Sequence, residues 1–297
     1  MVRRRTAVLA LLGGALLFVG ACGGARQATW HAPMSHPVPA NGQGGGTGAD
    51  ASPATGSRPG QPQPNGEHKP HTVGQSGSTP PSAGASTGPT FGPAVPGVIR
   101  KTGSSSVALT FDDGPGEGTN QILALLRQYH VKATFCLIGV NVQAHPDLVQ
   151  AIVKDGHTLC NHTWKHDEHL GQKSADTIRD DLQRTNDAIH AAAPDAPIKY
   201  FRHPGGNFTP LAVDVAKELG MASLGWNVDP KDWDLHGRWA PGPALTQHVI
   251  SVVEHNTHAG SIVLSHDGGG DRQSTVEAYR TLMPYLTGRF TLVSLPT

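Results

Sequence analysis

Two adjacent carboxylates, Asp112 and Asp113, directly follow an apolar, β-branched run and are closed by Gly114-Pro115. Alone, such a triplet is a turn former or a helix cap ahead of Thr119. A turn can also bring both carboxylates to one site, which a regular strand with alternating side chains would not. Further along, Asn161-His162-Thr163-Trp164-Lys165-His166 holds two histidines at i and i+4. If that segment is helical, they share one face, the spacing used by metal-binding pairs. No glutamate follows His162, which excludes the zincin form of the motif. One carboxylate with two imidazoles leaves positions open for water, the pattern of a catalytic zinc site rather than a closed structural one. The same ligand set serves non-heme iron oxygenases, so ligand type leaves the metal open.

Other chemistry-bearing segments come later in the chain. Arg202-His203-Pro204-Gly205-Gly206 offers an arginine that can hold a carboxylate and glycine amides that can receive an oxyanion, although by itself it reads as a Pro-Gly turn. Asp229-Pro230-Lys231-Asp232-Trp233 adds carboxylates, and Leu264-Ser265-His266-Asp267 adds a histidine suited to general acid work near neutral pH.

The elements that must position these groups alternate. Strands are predicted at 107–111, 132–138, 157–160, 200–201, 222–225, 261–264 and 290–293, and helices at 119–130, 175–192, 210–219, 243–258 and 275–286. Such alternation implies an α/β fold with parallel strands and crossover helices. Periodicity leaves both a closed barrel and an open sheet standing. In either, the chemistry belongs on loops at the carboxyl ends of strands, where every segment above falls. Cys136 and Cys160 lie in consecutive predicted strands, and a disulfide and free thiols both stand open.

Taken together, Thr110-Phe111-Asp112-Asp113-Gly114, His162-Thr163-Trp164-Lys165-His166 and the three later segments resemble, in order, the motifs of the polysaccharide deacetylases, carbohydrate esterase family 4. The resemblance spans most of the chain after Ser106. It implies a distorted (β/α)7-type barrel and a metal-dependent hydrolase of acetyl groups on sugars. It also implies that Asp113, His162 and His166 hold the metal, with zinc expected and cobalt, nickel or manganese as alternatives. Asp112 would be the base, with Arg202 holding it ionised. His266 would be the acid, paired with Asp232. Gly205 would supply an N–H to the oxyanion, and Leu264 and Trp233 would wall the acetyl methyl. Two departures stand out: Gly205 occupies a position usually aromatic, and Asp167, with Glu168 and His169 after it, stands where a proline often follows the second histidine. His169 and His203 are read as surface histidines outside the site.

The first residues read as an export signal. Arg3-Arg4-Arg5 precedes an apolar run and then Val19-Gly20-Ala21-Cys22, which resembles a lipobox with Cys22 as the lipidated residue. The run is short for a membrane span, and the arginines also fit a twin-arginine signal. Either route ends outside the cytoplasm, anchored or secreted. The expected organisation is therefore a leader at 1–21, a Gly/Pro/Ser-rich tether at 22–97, and a catalytic domain at 98–297. The tether accounts for much of the excess of 37 Gly and 24 Pro, and its composition cannot bury enough surface to order it. The 23 basic residues balance 23 acidic ones, which excludes the basic footprint of a nucleic-acid binder. The expected partners are the membrane, through the anchor, and a polysaccharide. Anchoring favours peptidoglycan near the producing cell, with chitin oligomers or acetylated xylan as the alternative. A non-catalytic wall-binding lipoprotein would tolerate loss of Asp112 or a metal ligand, and neither is missing.

Overall fold

A computed structural model describes residues 94–297. The expected leader, Cys22 and nearly all of the tether lie outside the described residues. The elements run β1 Val98–Ile99, β2 Val107–Gly114, α1 Thr119–Gln128, β3 Thr134–Leu137, α2 Gly139–Ala144, α3 Pro146–Lys154, β4 Thr158–Asn161, α4 Ala175–Ala192, β5 Ile198–Phe201, α5 Pro210–Glu218, β6 Ala222–Leu224, α6 Pro243–Asn256, β7 Ile262–His266, α7 Gln273–Thr287 and β8 Leu292–Val293.

Every strand pairing is parallel, in the order β1-β6-β5-β4-β3-β2-β7, with β8 beside β2. Parallel neighbours need crossover connections, and the helices supply them. The question of barrel or open sheet is decided just past β6. There Val228 bridges Val263 of β7, the Leu264 N–H donates to the Val228 carbonyl at 2.9 Å, and the Asn227 and Val228 N–H groups both reach the Ile262 carbonyl at 3.2 Å. The sheet thus closes on itself as a distorted (β/α)7-type barrel.

Strand alternation sorts the core into two shells. Val107, Leu109 and Phe111 of β2, with Phe135 and Leu137 of β3, join residues such as Ile122, Leu126, Val276 and Tyr279 of the surrounding helices. Ala108, Cys136, Cys160, Tyr200, Leu224, Ile262 and Leu264 form a separate cluster that fills the barrel, together with Leu295. Cys136 and Cys160 are register partners across β3 and β4 and are joined by a disulfide, with their Cα atoms 4.2 Å apart. The C-terminal segment seals the amino end of the barrel. The Leu295 N–H donates to Thr134 Oγ1 at 3.1 Å, its carbonyl accepts the Thr158 hydroxyl at 2.6 Å, and the Tyr200 hydroxyl reaches the Pro296 carbonyl at 2.7 Å.

Three differences from the sequence reading matter. β2 and β7 continue beyond the predicted 107–111 and 261–264, so Asp112, Asp113 and His266 belong to the strands themselves rather than to loops. Helices α2 and α3 stand where none is predicted; α3 opens on Pro146 and buries only Val149 and Ile152, too short a pattern to stand out. The two-residue β1 was likewise too short to read.

Candidate active site

The mouth of the barrel is built from residues that continue the inward-facing series of each strand. On β2 the series Ala108, Thr110 is followed by Asp112, which pairs in register with Cys136, whereas Gly114 pairs with Leu137. Asp113 is the extra residue of this bulge and has φ +68°, a conformation that aspartate tolerates better than most residues. The bulge turns both carboxylates to the same mouth. Asp112 Oδ2 lies 3.8 Å and Asp113 Oδ1 3.4 Å from His162 Nε2.

His162 directly follows β4 and His166 lies four residues on, in a turn and not a helix. Thr163 and His166 have φ +66° and +58°, so the pair converges through two left-handed residues rather than through helical pitch. The main-chain groups of Thr163 and Trp164 are all held. Asn161 Oδ1 accepts the Thr163 N–H at 2.9 Å and Asp181 Oδ1 accepts the Trp164 N–H at 2.8 Å, while the two following carbonyls receive the Gly139 and Val140 N–H groups at 3.0 Å each. Trp164 lies against Gly139, where a Cβ would come within 2.2 Å of the indole, so α2 must begin on glycine. His162 Nδ1–H donates to the Arg202 carbonyl at 2.7 Å, leaving the Nε2 lone pair free at the mouth. His166 Nε2 lies 3.4 Å from the same Asp113 Oδ1. That oxygen is buried without a hydrogen-bond partner, and the three ligand atoms lie within 4.8 Å of one another. An orphaned anionic oxygen facing two imidazole nitrogens suits a divalent cation. Burial would push the Asp113 carboxyl up, but the His162 contact and the surrounding histidine charges outweigh it and hold it well below the carboxylate range.

Arg202 follows β5 with its guanidinium fully buried inside the barrel. Nη1 donates to Asp112 Oδ1 at 2.6 Å and to Thr110 Oγ1 at 2.9 Å, Nε to the Leu224 carbonyl at 3.1 Å, and Nη2 to the Gly225 carbonyl at 3.2 Å. On the opposite side, His266 Nδ1–H donates to Asp232 Oδ1 at 2.8 Å. Asp232 Oδ2 accepts the His266 backbone N–H at 2.9 Å and the Thr275 hydroxyl at 2.8 Å. Burial alone would lower the His266 pKa, but the Asp232 charge and hydrogen bond raise it to about 9.

The sequence profile of the family described as polysaccharide deacetylase matches residues 99–224. A peptidoglycan-N-acetylglucosamine deacetylase of Bacillus cereus is 36% identical over 61% of this chain and 81% of its own length. The chain belongs to the polysaccharide deacetylase family. A chitooligosaccharide deacetylase of Sinorhizobium fredii is 34% identical over 66% of this chain and 92% of its own length. Among solved structures, a family 4 pseudoenzyme from Bacillus anthracis is 30% identical, covers 68% of each chain and superposes with a TM-score of 0.59. The barrel alone therefore does not distinguish a turning-over site from a silent one; the side chains at its mouth do.

Of the residues singled out from sequence, Asp112, Asp113, His162, His166, Arg202, Asp232 and His266 meet in this mouth. Leu264 is buried in the barrel one inward position below His266. Trp233 is 45% exposed, its indole N–H 3.3 Å from Asp229 Oδ1, so it stands at the rim. Gly205 lies on an exposed turn at φ +61°, where a Cβ would sit 2.9 Å from Asn207 Nδ2. His169 is a surface histidine as expected, but His203 is not. It is fully buried, its Nδ1–H donating to the Pro204 carbonyl at 2.9 Å and its Nε2 accepting the Gly171 N–H at 3.0 Å, which ties the segment after His166 to β5. Sequence reading passed over Arg272 and gave Asp267, quoted only as the end of its segment, no role. The latter is a fully buried carboxyl that accepts the Thr119 hydroxyl at 2.5 Å; burial pushes its pKa up to about 7. The one available signal was their place in a Gly-rich stretch directly after His266.

Removing one member of a buried ion pair strands the other. Arg202→Met is therefore expected to lower unfolding free energy by about 3–5 kcal/mol in urea titrations, with Asp112→Asn in the same background restoring part of it. A single-variant loss below about 1 kcal/mol would remove the pair from its anchoring role.

Proposed function

We propose that this protein hydrolyses the N-acetyl groups of N-acetylglucosamine in peptidoglycan, with a divalent metal, zinc, held by Asp113, His162 and His166. The observation that carries the reading is the orphaned Asp113 Oδ1 facing both imidazoles, flanked by a base paired with arginine and an acid paired with carboxylate. A cation bound there supplies Lewis acidity, polarising the acyl oxygen and acidifying water beside it.

The protein's own groups do the rest. Asp112, held by Arg202, accepts a proton from the attacking water as its oxygen bonds to the acyl carbon. The Gly205 N–H shares the charge that develops on the acyl oxygen. His266, with Nδ1–H committed to Asp232, offers its Nε2 proton to the sugar nitrogen, so the C–N bond breaks to release a neutral amine and acetate. Leu264 and Trp233 flank the acetyl methyl, and the exposed indole faces the solvent side of that groove. Peptidoglycan is favoured by the 36% identical relative of that activity and by the export signal read at Cys22. Chitooligosaccharides are the second reading, because relatives such as the Sinorhizobium fredii enzyme carry that name.

Acetate release from purified glycan strands, chitooligosaccharides and acetylated xylan, after chelation and return of single metals, tests the assignment; release of acetate from none of them would overturn it. Asp112→Asn is expected to keep its metal yet lose about 10²–10⁴-fold in turnover, whereas His162→Ala should lose metal and turnover together. Direct metal analysis separates the two.

The acid must be protonated, so activity is lost as pH rises through the raised His266 pKa. Asp232→Asn removes the charge that raises it, and the alkaline limb of the kcat profile is expected to fall towards the ordinary imidazole range near ~6.5. An unmoved limb would show that His266 is not the acid.

The tether at 22–97 would let a lipidated Cys22 hold the domain on the outer face of the membrane while it reaches about 45–50 Å into the wall. Cys22→Ala is expected to shift the protein from the membrane fraction to the medium. Retention with the membrane would count against lipidation.

A further inference from the structure

Arg272 is 4% exposed, precedes α7 and takes no part in the steps above. Its guanidinium is spent on main chain. Nε donates to the Gly268 carbonyl at 2.5 Å, Nη2 to the Gly269 carbonyl at 3.0 Å, and Nη1 to the Asp232 carbonyl at 3.1 Å. The same Nη2 lies 3.9 Å from Asp113 Oδ2.

The backbone it grips is the backbone that presses on Asp113. A Cβ at Gly268 would come within 2.2 Å of the Asp113 carbonyl oxygen, and one at Gly269, which has φ +74°, within 2.5 Å of Asp113 Oδ2. The two oxygens of that carboxylate therefore have different surroundings. Oδ1 faces His162 and His166, while Oδ2 faces the Gly269 backbone and the arginine charge. Through the Asp232 carbonyl, the same guanidinium also holds the segment whose carboxylate orients His266.

We infer that Arg272 is a positioning residue that fixes Asp113 so that one oxygen alone is presented to the metal, and that it ties this ligand to the Asp232–His266 pair, whose histidine ends the neighbouring strand β7. Without it, Asp113 can rotate about its side chain and Asp232 loses a main-chain support. Outer partners of metal ligands typically contribute 10–100-fold in affinity or activity. Lysine has one ammonium and cannot serve three carbonyls spread along a loop and a neighbouring segment.

The inference rests on the metal reading given above, and the experiment separates the two. The full chain and its Arg272→Met and Arg272→Lys variants are stripped of metal and titrated with Co(II) alone. The visible d–d spectrum reports the ligand geometry, and competition with a chelating dye gives Kd. For Arg272→Met the expected result is a Co(II) Kd weaker by about 10–100-fold, an altered spectrum, and a kcat lower by at least tenfold with KM within threefold of the parent. Arg272→Lys should fall between the two, and carries the same criteria if the methionine variant does not fold. Either Kd or kcat remaining within threefold of the parent overturns the inference. A parent that binds no Co(II) would overturn the metal reading and this inference with it.

Discussion

The buried pair of Arg202 and Asp112 is the interaction on which the site depends. A guanidinium inside a barrel is costly to desolvate, and its stability there requires a matched anion and a full set of acceptors. Asp112 supplies the anion, while Thr110, Leu224 and Gly225 supply the acceptors from β2 and from β6 and the residue just past it. The same residue's carbonyl then receives the proton of His162 Nδ1. One arginine thus holds a carboxylate by a 2.6 Å charge-assisted hydrogen bond and directs the lone pair of an imidazole towards the mouth. Hydrophobic residues of similar size could fill the space, but they could neither hold a carboxylate nor accept the imidazole proton.

Around that pair the barrel divides its charges by strand. β2 contributes two carboxylates through a bulge, β4 leads into a turn that carries both imidazoles, β5 leads into the arginine, and β7, paired to β2, ends in the histidine. Parallel strands make this arrangement economical, because all their carboxyl ends open on one mouth and each inward series places its last member there. The glycines after His266 let the returning backbone press against Asp113, at distances where any larger residue would displace that carboxylate. Packing and electrostatics are thereby set by the same few residues.

The α/β alternation was legible because outward positions such as Leu109 and Phe111 and inward ones such as Ala108 are both apolar, giving short continuous runs with helical patterns between them. Helix α4 was read to its ends, Ala175–Ala192, with Ser174 accepting the Thr177 N–H as its cap. Two short helices, α2 and α3, were not legible, since few buried positions carry no clear period. The burial of His203 was invisible for a different reason. A histidine that donates to one carbonyl and accepts one N–H looks, in sequence, like any other.

What the sequence determined by itself was the list of participants: a carboxylate pair, a histidine pair, an arginine and a distal histidine, in the order of the family's motifs. Side-chain chemistry is a property of residue type, and order along the chain needs no folding to be seen. Tertiary structure alone decided how they meet. A bulge at Asp113 overturns strand alternation, and left-handed residues at Thr163 and His166 do what a helix was expected to do. Arg272 acquires three carbonyl partners on two separate stretches of backbone. Those outcomes depend on contacts between residues far apart in the chain, where local propensity carries no information.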